Sequence, residues 1–311
     1  MQNRREFLRK AAIGGGLLLA GGFPFASLAA SRSMRLTILH TNDVHSRLEP
    51  FPDDGSRHAG LGGVAARASL IKKVRQEEEH VLLFDSGDIF QGTPYFNLYK
   101  GEPEIRSLSM MQYDAVTMGN HDFDAGVEGF AMQLQHANFP VLTSNYDFAG
   151  TALEGKTKDY QVFSKGRLRV GVFGIGIELK GLVPDEAFGA TRYLDPVHTA
   201  QATADQLRKR EKCDFVICLS HLGYEYASGR ISDVSLAKKT EGIDVILGGH
   251  THTFLDQPTV VSNRRGGSVY VAQAGWAGLR LGRLDFVFDN KKSTKLFNAQ
   301  SVIIGKQTRA M

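Results

Sequence analysis

The chain has 311 residues, of which 42% are hydrophobic and 23% are charged, and its formal net charge at pH 7 is +4. This length is enough for one large domain with a full core. Basic and acidic residues are mixed along the sequence without a basic stripe, which argues against polymeric nucleic acid as a partner. Cys213 and Cys218 flank a strand-like run that holds their α-carbons beyond the ~7 Å limit of a disulfide, so we predict that both are unpaired.

Residues 1–30 have the pattern of an export segment. Arg4 and Arg5 open a charged stretch, residues 11–28 are apolar and rich in glycine, and small residues near the end offer a cleavage site. The pattern resembles a twin-arginine export signal and predicts a periplasmic or otherwise extracytoplasmic protein. The alternative is a membrane anchor, because the run is nearly long enough to span a bilayer. Membrane contact is expected only through an uncleaved signal. The segment carries four basic residues and one acidic residue, or +3, which leaves about +1 for the rest of the chain.

From Arg35 onward, apolar runs of strand length alternate with segments of helical period. Strands are predicted at 36–39, 81–84, 115–118, 141–143, 167–174, 214–219, 245–247, 268–273 and 283–289. Helices are predicted at 64–79, 102–111, 127–136 and 195–212, and the last begins with Asp195 as N-cap and Pro196 at its first position. The alternation indicates an α/β domain over residues 34–290. A basic, solvated C-terminal tail is expected at 291–311.

Polar side chains that can bind metals recur where the apolar strands end. In an open α/β sheet, sites form at this carboxyl edge, and carboxylate, amide and imidazole groups suit divalent ions. Each piece alone also fits a turn, a cap or a hydrogen-bonded core histidine, but the repeated placement at strand ends favours a metal site. The residues are Asp43, His45, Asp88, Asn120, His121, His221, His250 and His252.

Trp276 lies in the glycine loop Gly275-Trp276-Ala277-Gly278. It either lines the mouth of a site or covers the core, and the sequence leaves both interpretations open. The histidines outside the strand-end set are expected to be structural or surface residues. They are His40, His58, His80, His136 and His198.

Five strand-end segments, taken in order, resemble the motifs of the calcineurin-like metallophosphoesterases. Two longer stretches, 40–47 and 119–124, are similar to the bacterial 5′-nucleotidase branch, and the resemblance covers roughly residues 35–290. The five segments are Asp43-Val44-His45, Gly87-Asp88-Ile89-Phe90-Gln91-Gly92, Gly119-Asn120-His121-Asp122, Ser220-His221 and Gly248-Gly249-His250-Thr251-His252.

This resemblance implies a four-layer α/β/β/α sandwich that holds two divalent metal ions. It assigns Asp43, His45, Asp88 and His252 to one ion, and Asp88, Asn120, His221 and His250 to the other, with Asp88 bridging. His121 would be the catalytic histidine and Asp124 its orienting carboxylate. Many relatives have glutamine where this chain has His252. Because imidazole suits transition metals, Mn, Zn or Fe is expected rather than Mg.

The implied reaction is 5′-nucleotidase-like: phosphate is released from nucleotides or related phosphoesters by attack of a metal-bridging hydroxide. A 2′,3′-cyclic phosphodiesterase, a nucleotide-sugar hydrolase and a sulfur-ester hydrolase are related alternatives. Two-domain 5′-nucleotidases carry a C-terminal domain that contacts the nucleoside, and the few residues after Asp289 predict that this chain is the catalytic half alone. A second class of function is therefore a scaffold or catalytic subunit, active only with a separately encoded C-terminal nucleotidase domain.

Overall fold

The computed structural model describes residues 33–305, which form thirteen named strands. In chain order they are β1 (Met34–Thr41), β2 (Val81–Asp85), β3 (Ala115–Val116), β4 (Tyr146–Asp147), β5 (Tyr160–Lys165), β6 (Leu168–Ile175), β7 (Arg192–Tyr193), β8 (Phe215–Ser220), β9 (Val245–Leu247), β10 (Thr259–Ser262), β11 (Ser268–Ala272), β12 (Arg280–Phe288) and β13 (Thr294–Ile303).

Seven α-helices lie between these strands in the described part of the chain. They are α1 (Val64–Glu77), α2 (Pro94–Tyr99), α3 (Glu102–Met110), α4 (Gly126–Gln133), α5 (Asp185–Phe188), α6 (Pro196–Asp205) and α7 (Asp233–Lys239). Short 3-10 turns cover His121–Phe123 and Leu134–His136, and α6 continues as a wider π-helical turn over Gln206–Arg210. The Asp195 side chain accepts a hydrogen bond from the backbone N–H of His198, so the predicted N-cap of α6 is confirmed.

Two sheets carry most of the strands. One has the order β13-β12-β1-β2-β3 and the other β10-β11-β9-β8-β6-β5, while β4 and β7 form a separate ribbon. The central neighbours β1, β2 and β3 are parallel, as are β6, β8, β9 and β11. Within each sheet, the loops that leave these parallel strands therefore emerge at one edge.

Side chains of the two sheets interleave in an inner core, and helices cover the outer faces. Leu36 and Ile38 of β1 lie in the inner core with Val172 and Ile217 of the other sheet. Leu39 points the opposite way, into a cluster that includes residues of α1, α3 and α4, as the two-residue strand period requires. A third cluster joins the outer face of the second sheet to α6 and α7. The predicted α/β/β/α sandwich is confirmed.

The end of the chain differs from expectation. Residues Thr294–Ile303 are not a solvated tail but strand β13, which pairs antiparallel with β12 along most of its length. The lysines around residue 292 led to the prediction of a solvated tail. In the structure, Leu296 and Ala299 pack against the inner core. Residues 141–143, predicted as a strand, form only isolated bridges through Val141 and Leu142. Cys213 and Cys218 are buried and unpaired, as predicted.

The predicted export signal at residues 1–30 lies outside the described residues. Within residues 33–305, no helix is both long enough and apolar enough to cross a membrane.

Candidate dimetal site

Five of the predicted ligands have left-handed backbone conformations. Non-glycine residues reach this region at a cost of roughly 1–2 kcal/mol each, and such strain gathers where a site needs a particular side-chain direction. In the turns after β1, β2 and β9, this backbone conformation directs the side chains towards one another. The φ angles are 50° for Asp43, 47° for His45, 56° for Asp88, 71° for His250 and 52° for His252.

Asp43, His45 and His252 form the first group of donors, whose ligand atoms lie within 4.8 Å of one another. The Nε2 atoms of His45 and His252 are 3.0 Å apart, and His252 Nε2 is 3.3 Å from Asp43 Oδ1. Two ring nitrogens at this separation cannot both present lone pairs to each other without repulsion. Without a metal, one ring must donate its N–H to the other. A cation between them lets both rings present lone pairs, so the geometry also fits a metal ion.

Asp88, His221 and His250 form the second group, again with ligand atoms within 4.8 Å. His221 Nδ1 donates to the Ser86 carbonyl at 2.7 Å, which leaves Nε2 as the nitrogen that can face a metal ion. That Nε2 lies 3.1 Å from Asp88 Oδ2, yet it is buried without a well-formed hydrogen bond to any described residue. A buried imidazole nitrogen oriented by a carbonyl on its other side is the usual arrangement of a metal ligand.

Asp88 belongs to the second group and also faces the first. Its Oδ2 is 3.1 Å from His221 Nε2 and 3.8 Å from His45 Nε2, one histidine from each group. Asn120 joins the second group through His250, since Asn120 Oδ1 is 2.8 Å from His250 Nδ1. Burial lowers the pKa of His250 to about 4, which favours the neutral ring that metal ligation requires. All seven predicted ligands therefore meet at one place.

His121 and Asp124 lie beside these groups but make a separate pair. His121 Nδ1 donates to Asp124 Oδ2 at 2.9 Å, and the His121 ring centroid is 5.3 Å from that of His45. The hydrogen bond that His121 donates to Asp124 is the largest cause of a raised His121 pKa. With Nδ1 held by the carboxylate and 37% of the side chain exposed, Nε2 is the nitrogen available to a ligand.

Asp122 organises the site, and sequence reasoning gave it no role. Its buried carboxylate accepts four backbone N–H groups, from Asp88 at 2.9 Å, Ile89 at 2.9 Å, Phe90 at 3.1 Å and Gly119 at 2.8 Å. These bonds tie the turn after β2 to the turn after β3, which carries Asn120 and His121. The available signal was its position in the Gly119-Asn120-His121-Asp122 motif.

Gln273 is a second supporting residue that sequence reasoning missed. Its Nε2 donates to the Gly249 carbonyl at 2.7 Å and to Asp233 Oδ2 at 3.1 Å, and its Oε1 accepts from the Thr253 N–H at 3.1 Å. The amide therefore holds both ends of the loop that presents His250 and His252. A single glutamine at the end of a strand carries no pattern that would predict this.

Trp276 belongs to the edge of the site. Its ring stacks on His252 with centroids 5.8 Å apart and an interplanar angle of 8°. Of the two interpretations left open by the sequence, the position at the mouth of a site is the one that the structure supports.

Comparison with known proteins agrees with this geometry. The calcineurin-like phosphoesterase family matches residues 36–254. A snake venom 5′-nucleotidase from Crotalus adamanteus is 34% identical over 310 residues, which take in 93% of this chain and 51% of that protein. The structure of a 5′-nucleotidase precursor from Thermus thermophilus is similar with a TM-score of 0.78 and 33% identity, covering 88% of this chain and 55% of that one.

A further similar structure is the NAD nucleotidase NadN of Haemophilus influenzae, with a TM-score of 0.78, 26% identity, and coverage of 88% of this chain and 57% of that one. The chain spans about half the length of these relatives. The family match takes in more than half of the chain and contains the strand-end motifs up to His252. The chain therefore belongs to the calcineurin-like phosphoesterase family.

Proposed function

We propose that this protein is an exported dimetal phosphoester hydrolase of the 5′-nucleotidase type, which releases phosphate from nucleotides. The observation that carries the proposal is the pair of donor groups that meet at Asp88, with the His121–Asp124 pair beside them. The family depends on two metal ions, and the described residues offer two adjacent groups of the right donor chemistry.

The proposed ligands divide as the two groups do. Asp43, His45 and His252 would hold one ion, and Asn120, His221 and His250 the other, with Asp88 shared. When bound, two such ions lower the pKa of water, hold phosphate oxygens and offset charge during an in-line displacement. The many imidazole donors favour Mn, Zn or Fe over Mg.

His121 is the proposed proton donor to the leaving group. Hydrolysis of a phosphomonoester breaks the bond between phosphorus and the alcohol oxygen, and that oxygen must gain a proton. Asp124 accepts a hydrogen bond from His121 Nδ1 at 2.9 Å and raises the His121 pKa, which favours the protonated ring. Its Nε2–H would then face the bound ester. Donation from a positioned imidazole contributes roughly 10²–10⁴-fold to such a step.

The direct test is phosphate release from a panel of substrates by the purified protein, with and without added Mn²⁺. The panel should contain AMP, a 2′,3′-cyclic nucleotide, a nucleotide sugar and a sulfur ester. We expect metal-dependent release from AMP, and Asp88→Asn should lower it together with the ion content. Turnover of another member of the panel in place of AMP would reassign the substrate, and no turnover of any ester would contradict the hydrolase assignment.

A second candidate is a catalytic subunit that acts together with a separate substrate-binding domain. The observation that favours it is that the alignment takes in only 51% of the venom 5′-nucleotidase. In that case the purified chain would hold two metal ions and hydrolyse AMP only after a separately produced C-terminal nucleotidase domain is added.

Export is proposed from the paired arginines and apolar run of residues 4–28. Expression in a bacterium with and without a working twin-arginine pathway, followed by fractionation, tests it. Arg4→Lys combined with Arg5→Lys should retain the protein in the cytoplasm if the signal acts as proposed.

A further inference from the structure

A cavity of about 410 Å³ lies beside the first donor group. Three aromatic rings line it, from His58, Phe254 and Trp276, together with the guanidinium groups of Arg57 and Arg280. The volume is within the roughly 300–1,000 Å³ of small-molecule sites, which combine apolar walls with a few polar groups. Neither the proposed metal ligands nor His121 line it, so the proposed chemistry leaves this cavity without a role.

Trp276 forms a wall common to the cavity and the metal site. One face of its indole stacks on His252 at 5.8 Å between centroids, and the His252 ring is in turn 5.0 Å from the His45 ring. The cavity therefore begins one ring beyond the first donor group. A ligand with its phosphate at that group can place another part of itself against Trp276.

The aromatic walls are fixed by the surrounding backbone. Asn42 Nδ2 donates to the Gly275 carbonyl at 2.7 Å and Asn42 Oδ1 accepts from the Ala274 N–H at 2.8 Å. Gly275 has φ +82°, and a Cβ there would lie 2.1 Å from a ring carbon of Phe254. Glycine thus allows Phe254 to pack against the Trp276 loop, and the cavity is preformed.

The cavity also has two positively charged groups that can donate hydrogen bonds, the guanidinium groups of Arg57 and Arg280. The Arg280 guanidinium lies over the Phe254 ring at 4.9 Å from its centroid and pairs with Asp256. Arg57 is exposed. Flat aromatic surface combined with N–H donors suits a planar ring that has nitrogen and carbonyl acceptors at its edge, which describes a nucleobase.

We propose that this cavity binds the base of a nucleotide whose phosphate lies at the dimetal site, and that it favours purines because their rings offer more stacking area. The inference rests on the proposed function for the position of the phosphate. Binding of the base itself does not require any hydrolysis, so the two proposals can fail separately.

Trp276 provides the measurement, because it is the only tryptophan in the sequence. The purified full chain is titrated with adenosine and with cytidine, which carry no phosphate, while tryptophan fluorescence is recorded. We expect a saturable change for both, with tighter binding of adenosine. The absence of a saturable change, or tighter binding of cytidine, would overturn the proposal.

Two variants and a matched control locate the binding. Phe254→Leu should weaken adenosine binding roughly fivefold or more, as expected for loss of base–aromatic stacking. Arg57→Gln, at an exposed position where the fold is not at risk, should weaken it roughly two- to fivefold. The control is Phe297→Leu, because Phe297 also lies under an arginine, Arg35, at 5.0 Å from its ring centroid, but on exposed strand β13.

Adenosine binding that is unchanged in both Phe254→Leu and Arg57→Gln, or weakened equally in Phe297→Leu, would contradict this location. Kinetics then links the cavity to the reaction: Phe254→Leu should raise KM for AMP but leave KM for ribose 5-phosphate, which lacks a base, unchanged. If adenosine binds as described but AMP is not hydrolysed, the base site stands and the proposed hydrolase fails. If AMP is hydrolysed with the same KM in every variant, the base site fails alone.

Discussion

Replacing His121 by alanine separates the proposed acid from the proposed metal ligands. His121 Nδ1 donates a hydrogen bond to Asp124 Oδ2 at 2.9 Å, and 37% of the His121 side chain is exposed. The His121 backbone N–H donates to Asp88 Oδ1 at 2.8 Å, and an alanine keeps that bond. We therefore expect His121→Ala to fold normally, with a change in unfolding free energy within about 1 kcal/mol, and to retain both ions.

The expected size of the effect depends on the leaving group. A ribose alkoxide needs a proton to depart, so kcat/KM for AMP should fall roughly 10²–10⁴-fold, or about 3–5 kcal/mol of transition-state stabilisation. A p-nitrophenolate departs with little proton assistance, so the loss on p-nitrophenyl phosphate should be clearly smaller. Asp124 acts through His121, so Asp124→Asn should add almost nothing to the loss already caused by His121→Ala.

The assay is kcat/KM on both substrates for the wild type, the two single variants and the double variant, with metal content measured for each protein. Equal losses on the two substrates would mean that His121 acts on the phosphate rather than on the leaving oxygen. Loss of an ion in His121→Ala would show that the division between ligand and acid within Asn120-His121 is wrong. Additive losses in the double variant would mean that Asp124 has a role independent of His121.

Three further predictions concern the metals and the core. Elemental analysis of protein purified without chelator should find close to two transition-metal ions per chain. Asp88→Asn should lower the ion content and the activity on every substrate together. A protein that is metal-free and remains so after dialysis against Mn²⁺ would disprove the site. His252→Gln removes one imidazole from the first group and should reduce the ratio of Mn²⁺-supported to Mg²⁺-supported activity, whereas an unchanged ratio would mean that His252 does not set the preference. Burial lowers the pKa of His40 to about 4, below the ~6.5 of an unfolded histidine. As the pH falls below ~6.5, His40 is therefore protonated in the unfolded chain but stays neutral in the folded protein. Between pH 7.5 and 5, His40 should therefore lower the free energy of urea unfolding of the metal-free protein by about 2 kcal/mol. In His40→Gln the decrease over the same pH range should be smaller by that amount. Identical pH profiles would contradict the burial argument.

Local pattern determined much of this protein. The apolar runs 36–39, 81–84 and 214–219 have the length and flanking residues of strands buried on both faces, and all three are strands of the sandwich. The polar residues that end them could be identified because parallel strands bring their carboxyl ends to one edge. The motif order then pointed to the family. These features are short-range in sequence, so they can be read without knowing the packing.

Features that depend on contacts between residues far apart in the sequence could be found only from the tertiary structure. β13 was not predicted because Lys295 within it and Lys291 and Lys292 just before it resemble a solvated tail. Pairing with β12 and contact of Leu296 with the inner core make it a strand. Asp122 and Gln273 support the metal groups through bonds to backbone groups of other loops, which leave no trace in composition or period. The neighbourhood of Trp276 and His252 joins residues from two loops. Its significance follows from where those loops meet, because stacking is a property of positions in space rather than of the residues alone.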